Sequence, residues 1–181
     1  MNIFVLAEDP EVAALQLCNK HASRMPLESM GMLSFAFDDG AFPIKNSHSN
    51  RHYIHPASIW ARESQENFNW LLSHAKAQCT EYTRRYKREH DSEKYIKWSE
   101  QNQNKIKFKV RGLTPFARCF SSFKLELENK IKNTVLAYQE FYRLDKPFAL
   151  WPSLEEIPDW WIEKSEKYVD KNFKNGKYAK R

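Results

Sequence analysis

Glycine is scarce in this chain, with four in 181 residues. An all-β protein needs a tight turn between most of its strands, and glycine supplies the positive φ such turns use. The shortage argues against that class. Long apolar runs are also missing: no stretch approaches the roughly 20 residues a membrane-spanning helix requires. The opening Met-Asn-Ile-Phe-Val-Leu-Ala-Glu-Asp turns acidic before a signal-peptide core forms. The three cysteines, Cys18, Cys79 and Cys119, are odd in number and far apart. They offer no metal-binding pair and read as reduced thiols, with Cys18 and Cys79 in apolar helical stripes. A phosphate-cradling glycine-rich loop, G-x-S-x-G and H-E-x-x-H are all absent. That weighs against NTPase, hydrolase and zincin chemistry. A soluble protein is expected, cytoplasmic and without a membrane partner.

What is present points toward a polyanion. Formal net charge is +6 and the isoelectric point is near 9.1, which favours nucleic acid as a partner. Six Trp, eight Tyr and twelve Phe fill a core and also offer stacking surfaces for bases. Charged residues at 29% and hydrophobic ones at 41% describe a folded globular chain. Length predicts one domain over residues 1–170, followed by a basic, frayed tail at 171–181.

Along the chain, residues 3–6 form a short apolar extended segment. Asp9, Pro10 and Glu11 predict a helix start, with Asp at the N-cap and Pro in the first turn. Val12, Leu15, Leu17 and Cys18 continue it, and Pro26 is expected to kink or break it. Lys20, His21, Arg24 and Glu28 lie about one turn apart and share a face. That face is either a solvated surface with an Arg24–Glu28 pair or the scaffold of a site. Residues 41–55 show no periodicity and read as a loop. A helix resumes at Pro56 and pauses at Ser64. Phe68, Leu71, Leu72, Ala75, Cys79, Tyr82 and Tyr86 then recur at helical spacing to about residue 88. Further helices are expected over 91–103 and 126–142, at Ser153 to Glu156 (a capping-box pattern) and from Asp159. The predicted fold class is mainly α: a compact single-domain helical protein with a short extended N-terminal segment and long loops.

Three groups of residues carry candidate chemistry. His48, His52 and His55 lead into Trp60, Arg62 and Glu63. Histidine there suits acid/base work near neutral pH, phosphate contacts or metal binding, and Arg62 suits bidentate contact with phosphate or carboxylate. No cysteine or paired carboxylate completes a metal set, so neither a metal nor another cofactor is assigned. Arg84, Arg85, Lys87 and Arg88 crowd the C-terminus of the long helix, as a phosphate contact or simply a solvated helix end. Lys105, Lys107, Lys109 and Arg111 alternate with Ile106, Phe108 and Val110. In extended form the cations make one row, as an edge strand or as a track for a phosphate backbone.

Several segments carry a family resemblance. Ile3-Phe-x-Leu-x-x-Asp9-Pro-x-x-Ala13-Ala, Cys18-Asn-Lys-His21 and Met25-Pro-Leu-Glu28 resemble a family of small phage and giant-virus proteins. His55-Pro-x-x-Ile-Trp-Ala-Arg-Glu-Ser64, Glu81-Tyr-Thr-x-Arg-Tyr86 and Ile157-Pro-Asp-Trp-Trp161 extend the likeness over most of the chain, leaving 91–130 unmatched. Such proteins are often described as pyrimidine-dimer DNA glycosylases, similar to phage endonuclease V. The resemblance implies that fold, with DNA as partner and attack at C1′ of a damaged or modified pyrimidine nucleotide in the duplex.

On that reading Glu28 is the catalytic carboxylate, with His21, Lys20 and Glu63 in the catalytic set. Arg24 contacts phosphate or base on that reading, and from charge and spacing His48, His52, His55, Arg62, Arg84, Arg85, Lys87, Arg88, Lys105, Lys107, Lys109 and Arg111 are further candidate DNA contacts. The family's nucleophile is an N-terminal amine exposed by removal of Met1 before a small residue, whereas Asn2 follows here. Lys20, if burial depressed its proton affinity, or water are the alternatives. Two other classes stand beside the glycosylase. One is a non-catalytic nucleic-acid-binding protein that modulates a host or phage factor, and the other is an enzyme acting on free nucleotides.

Overall fold

The computed structural model describes residues 1–44, 50–120 and 124–162; His48 and the predicted tail at 171–181 lie outside the described residues. Among these the elements are α1 (Pro10–Leu15), α2 (Asn19–Ser34), α3 (Asn50–Tyr53), α4 (Pro56–Ala61), α5 (Gln65–Tyr86), α6 (Glu93–Asn102), a 3₁₀ turn (Gln103–Lys105), α7 (Lys124–Lys130), α8 (Thr134–Asp145) and α9 (Asp159–Ile162). The protein is mainly helical, as its composition predicts, and no strand occurs among the described residues. No helix of those residues is long and apolar enough to cross a membrane.

The centre is α5, which packs against α1, α2, α4 and α6. Its buried stripe follows the predicted spacing through Phe68, Leu71, Leu72, Ala75, Cys79 and Tyr82, whereas Tyr86, the last residue of the predicted run, is exposed at the helix end. Both ends are chemically defined. Ser64 Oγ accepts the Asn67 N–H at 3.1 Å at the start, and Lys87 takes a left-handed conformation at the end, donating its N–H to Thr83. Each fully buried Phe or Leu of that stripe contributes about 1.5–3 kcal/mol. The 3–6 segment crosses the core with Ile3, Val5 and Leu6 fully buried, but it is not extended throughout: Phe4 has φ +42° and the Leu6 N–H donates back to the Phe4 carbonyl at 2.8 Å.

The chain departs from its sequence pattern in several places. Pro26 neither breaks nor ends α2 but sits inside it, buried with Met25, Ser29 and Met30. Packing against α5 outweighs the roughly 3 kcal/mol that an interior proline costs. The break falls earlier, at Gln16–Cys18. There the Cys18 N–H donates to the Tyr142 hydroxyl at 3.1 Å, and the Asn19 N–H to the Leu150 carbonyl at 2.7 Å. Tertiary partners replace the helical ones.

The helix expected over 126–142 is two helices. Arg118 donates to the carbonyls of Ile131 and Lys132 past the end of α7, and Asn133 Oδ1 caps α8 through the Leu136 N–H at 3.0 Å. The stretch 41–55, read as loop, contains α3. Ser153 to Glu156 forms bends rather than a helix, because Pro158 brings no N–H to continue it. Lys105 ends the 3₁₀ turn, and residues 106–111 follow without a strand ladder. A single parallel bridge joins Val110 to Ser64, with the Val110 N–H donating to the Glu63 carbonyl at 3.2 Å.

Candidate functional site

Because α2 continues through Pro26, Lys20, His21, Arg24 and Glu28 fall on one face by ordinary helical spacing. That face lines a cavity of about 760 Å³. Met1, Asn2 and Phe4 form a second wall, His55 and Pro56 at the start of α4 a third. Arg118, Cys119 and Phe120, with Phe141, Asp145 and Lys146 from the end of α8, close it. Elements far apart in sequence thus meet around Glu28.

Glu28 is the cavity's organising carboxylate. Its Oε2 accepts the Asn2 backbone N–H at 3.1 Å and lies 3.8 Å from the amino nitrogen of Met1. Its Oε1 lies 3.7 Å from Arg24 Nε, whose side chain is mostly exposed. Asn2 is itself a clamp: its Nδ2 donates to the Cys119 carbonyl at 2.8 Å, and its Oδ1 accepts the Phe4 N–H at 3.0 Å. Phe4 holds φ +42°, a left-handed conformation costly for a bulky side chain. Its ring is fixed by stacking on His21 (4.6 Å between centroids, 18° between planes) and by Tyr142 edge-on at 5.2 Å.

The two cavity histidines are poor bases. Burial, with Lys146 and Lys20 nearby, pushes His21 down to about 3, against a smaller upward pull from Asp145. Burial first, then the terminal ammonium and His52, lowers His55. His55 Nδ1 also accepts the Ala57 N–H at 3.2 Å, capping α4. Cations surround the cavity: Lys20 sits 4.3 Å over the exposed Phe148 ring, and Lys146 sits 5.6 Å over Phe4 while pairing with Asp145.

The remaining candidates divide clearly. Arg62 stays at the α3–α4 corner, donating to the Tyr53 carbonyl at 2.7 Å and lying over that ring. Glu63 accepts the Thr114 hydroxyl at 2.8 Å and ties the 110–114 segment to α5. Neither lines the cavity. His52 stands on α3 near His55, and His48 lies outside the described residues. Arg85 points inward, its side chain 2% exposed, bonded to Glu81 and to the Leu17 carbonyl. Arg84 joins Glu81 to Glu156, and Arg88 bonds the Tyr82 hydroxyl at 2.7 Å. Lys87, Lys105, Lys107, Lys109 and Arg111 are exposed away from the cavity lining.

Sequence reading did not single out Asn2, Phe4, Arg118, Tyr142 or Lys146 as site residues. Asn2 carried a signal, a short polar side chain within an apolar opening. Lys146 carried none, because only the packing of α8 brings it to α2. No family model, curated protein or solved structure matches this chain.

Proposed function

We propose that this protein is a DNA N-glycosylase acting on a damaged or modified pyrimidine nucleotide, with a fold that varies the endonuclease V-type plan. The observation that carries the reading is Glu28 Oε2 beside the backbone nitrogens of both Met1 and Asn2, at 3.8 and 3.1 Å. With either residue at the start of the mature chain, the amine would face the same carboxylate.

In this reading a nucleotide is flipped from the duplex into the cavity. The amine, as free base, donates its lone pair to C1′ as the bond from C1′ to the base nitrogen breaks. The bonding pair leaves with the base, which takes up a proton. Glu28 stabilises the positive charge that develops on the sugar, an electrostatic contribution from a carboxylate already in place. The resulting aminal opens to a Schiff base. Lys20, Arg24 and Lys146 supply positive charge for the flanking phosphates.

Borohydride trapping tests the covalent step. Protein incubated with ultraviolet-irradiated duplex DNA should give an adduct that peptide mass spectrometry maps to the first residue, lost on adding an N-terminal extension. A dimer keeps the cleaved base tethered to its neighbour, so base release is read after photoreversal. Base release without an adduct would replace the amine with water. Salt-sensitive binding with neither adduct nor base release would leave a nucleic-acid-binding protein, and base release confined to free nucleotides would leave an enzyme on that substrate.

A further inference from the structure

The proposed chemistry makes no use of one buried polar group, the hydroxyl of Tyr142. The residue is fully buried on α8. Its oxygen accepts the Cys18 N–H at 3.1 Å and lies 2.5 Å from His21 Nδ1. A buried phenol proton needs an acceptor; the Cys18 sulfur also faces the hydroxyl but is a weak acceptor, and His21 Nδ1 at 2.5 Å is the stronger one. Tyr142 therefore donates to Nδ1, Nδ1 carries no proton, and the neutral ring holds its proton on Nε2. Burial also pushes the Tyr142 hydroxyl well above its ordinary proton affinity, so it stays a donor.

The ring is held on three sides. Phe4 stacks on one face, Tyr142 meets it edge-on at 5.0 Å and Phe148 does so at 5.9 Å. Nδ1 being taken, Nε2 is the nitrogen left for the cavity that His21 lines. The charged groups around the ring are Lys20 from its own helix and Asp145 and Lys146 from the end of α8. The two cations and the burial disfavour an imidazolium there. His55 repeats the arrangement, with Nδ1 occupied by the Ala57 N–H.

We propose that Tyr142 is a positioning residue that fixes His21 as a neutral Nε2–H donor, and that His21 gives this hydrogen bond to an acceptor atom of the departing base. As the C1′–base bond breaks, electron density accumulates on that acceptor, and a donor already in place stabilises it with no proton transferred from His21. The catalytic half rests on the glycosylase reading; the tautomer half does not.

Nitrogen NMR of histidine-labelled protein tests the tautomer directly. His21 should show the Nε2–H pattern unchanged between about pH 5 and 8. Tyr142→Phe, which keeps the ring and its packing, should lose that single pattern and give a mixture of tautomers. An Nδ1–H pattern in the unmodified protein, an imidazolium near pH 7, or no change in Tyr142→Phe would overturn the assignment.

Base release tests the role. His21→Ala should lower kcat by about 10²–10³-fold, whereas His21→Gln, whose amide nitrogen falls near the Nε2 position, should retain a larger share. Equal losses would mean that the donor does not act and would overturn the catalytic half. Absence of base release from any DNA defeats the glycosylase reading and this catalytic half together, while the NMR result still decides the tautomer.

Discussion

Glu28 Oε2 accepts the backbone N–H of Asn2 at 3.1 Å, which ties the middle of α2 to the start of the chain. The same Asn2 reaches across to Cys119 and back to Phe4. One buried residue thus couples the carboxylate, the cavity wall and a strained backbone position.

Asn2→Ala should therefore destabilise the fold and impair the site together. It orphans the Phe4 N–H and removes the Asn2 bond to the Cys119 carbonyl, a loss of about 1–3 kcal/mol. Denaturant unfolding should show a lower midpoint with an unchanged slope. An unchanged midpoint would mean that Phe4 holds its left-handed φ without Asn2.

Acid should weaken the protein through its buried histidines. His74 is fully buried, with Nδ1 bonded to the Pro10 carbonyl at 2.7 Å, and burial lowers it from 6.5 to about 4. His21 is lowered from 6.5 to about 3. Between folded and unfolded values the unfolded chain binds more protons, so stability rises with pH in that window. Their contribution is complete above about pH 6.5 and is lost as pH falls toward 4 and 3. Unfolding midpoints measured from pH 7 to 4 should fall, and His74→Gln should flatten the slope. A pH-independent midpoint contradicts this.

Arg84 and Arg85 are neighbours in sequence but unequal in the fold. Arg85 and Glu81 have side chains 2% and 3% exposed, whereas Arg84 is 46% exposed. Arg85→Ala should cost about 3–5 kcal/mol, because it breaks a buried pair and uncaps carbonyls near the end of α1. Arg84→Lys should cost less than about 1 kcal/mol. Comparable losses would contradict the burial difference.

Affinity for duplex DNA should fall with added salt. Lys20→Gln and Arg24→Gln should each reduce the log–log slope by about 0.9 if each cation neutralises one phosphate. Lys107→Gln, exposed but outside the cavity lining, should leave base release unchanged. The reverse pattern would move the DNA track to the 105–111 segment.

These contrasts show where the sequence was informative. The burial stripe of α5 and the Asp9 cap of α1 were legible because they rest on local periodicity and side-chain-to-backbone bonds. The shared face of Lys20, His21, Arg24 and Glu28 was legible for the same reason. Pro26 misled, because the burial that overrides its local cost is tertiary. Arg85 shows the same limit: a cation at a helix end reads as surface until Glu81 and the Leu17 carbonyl are placed beside it. Tyr142 and Lys146 could not be foreseen at Glu28's cavity, since the packing of α8 alone delivers them.

The most direct test of the proposed function is mass spectrometry of bases released from duplex DNA carrying damaged or modified pyrimidines, with ultraviolet-irradiated duplexes photoreversed first to free any base still tethered through a dimer, comparing the protein with Glu28→Gln. The account predicts a free base from the unmodified protein and none from Glu28→Gln, with DNA affinity nearly preserved. No released base from either protein, or equal release from both, would contradict it.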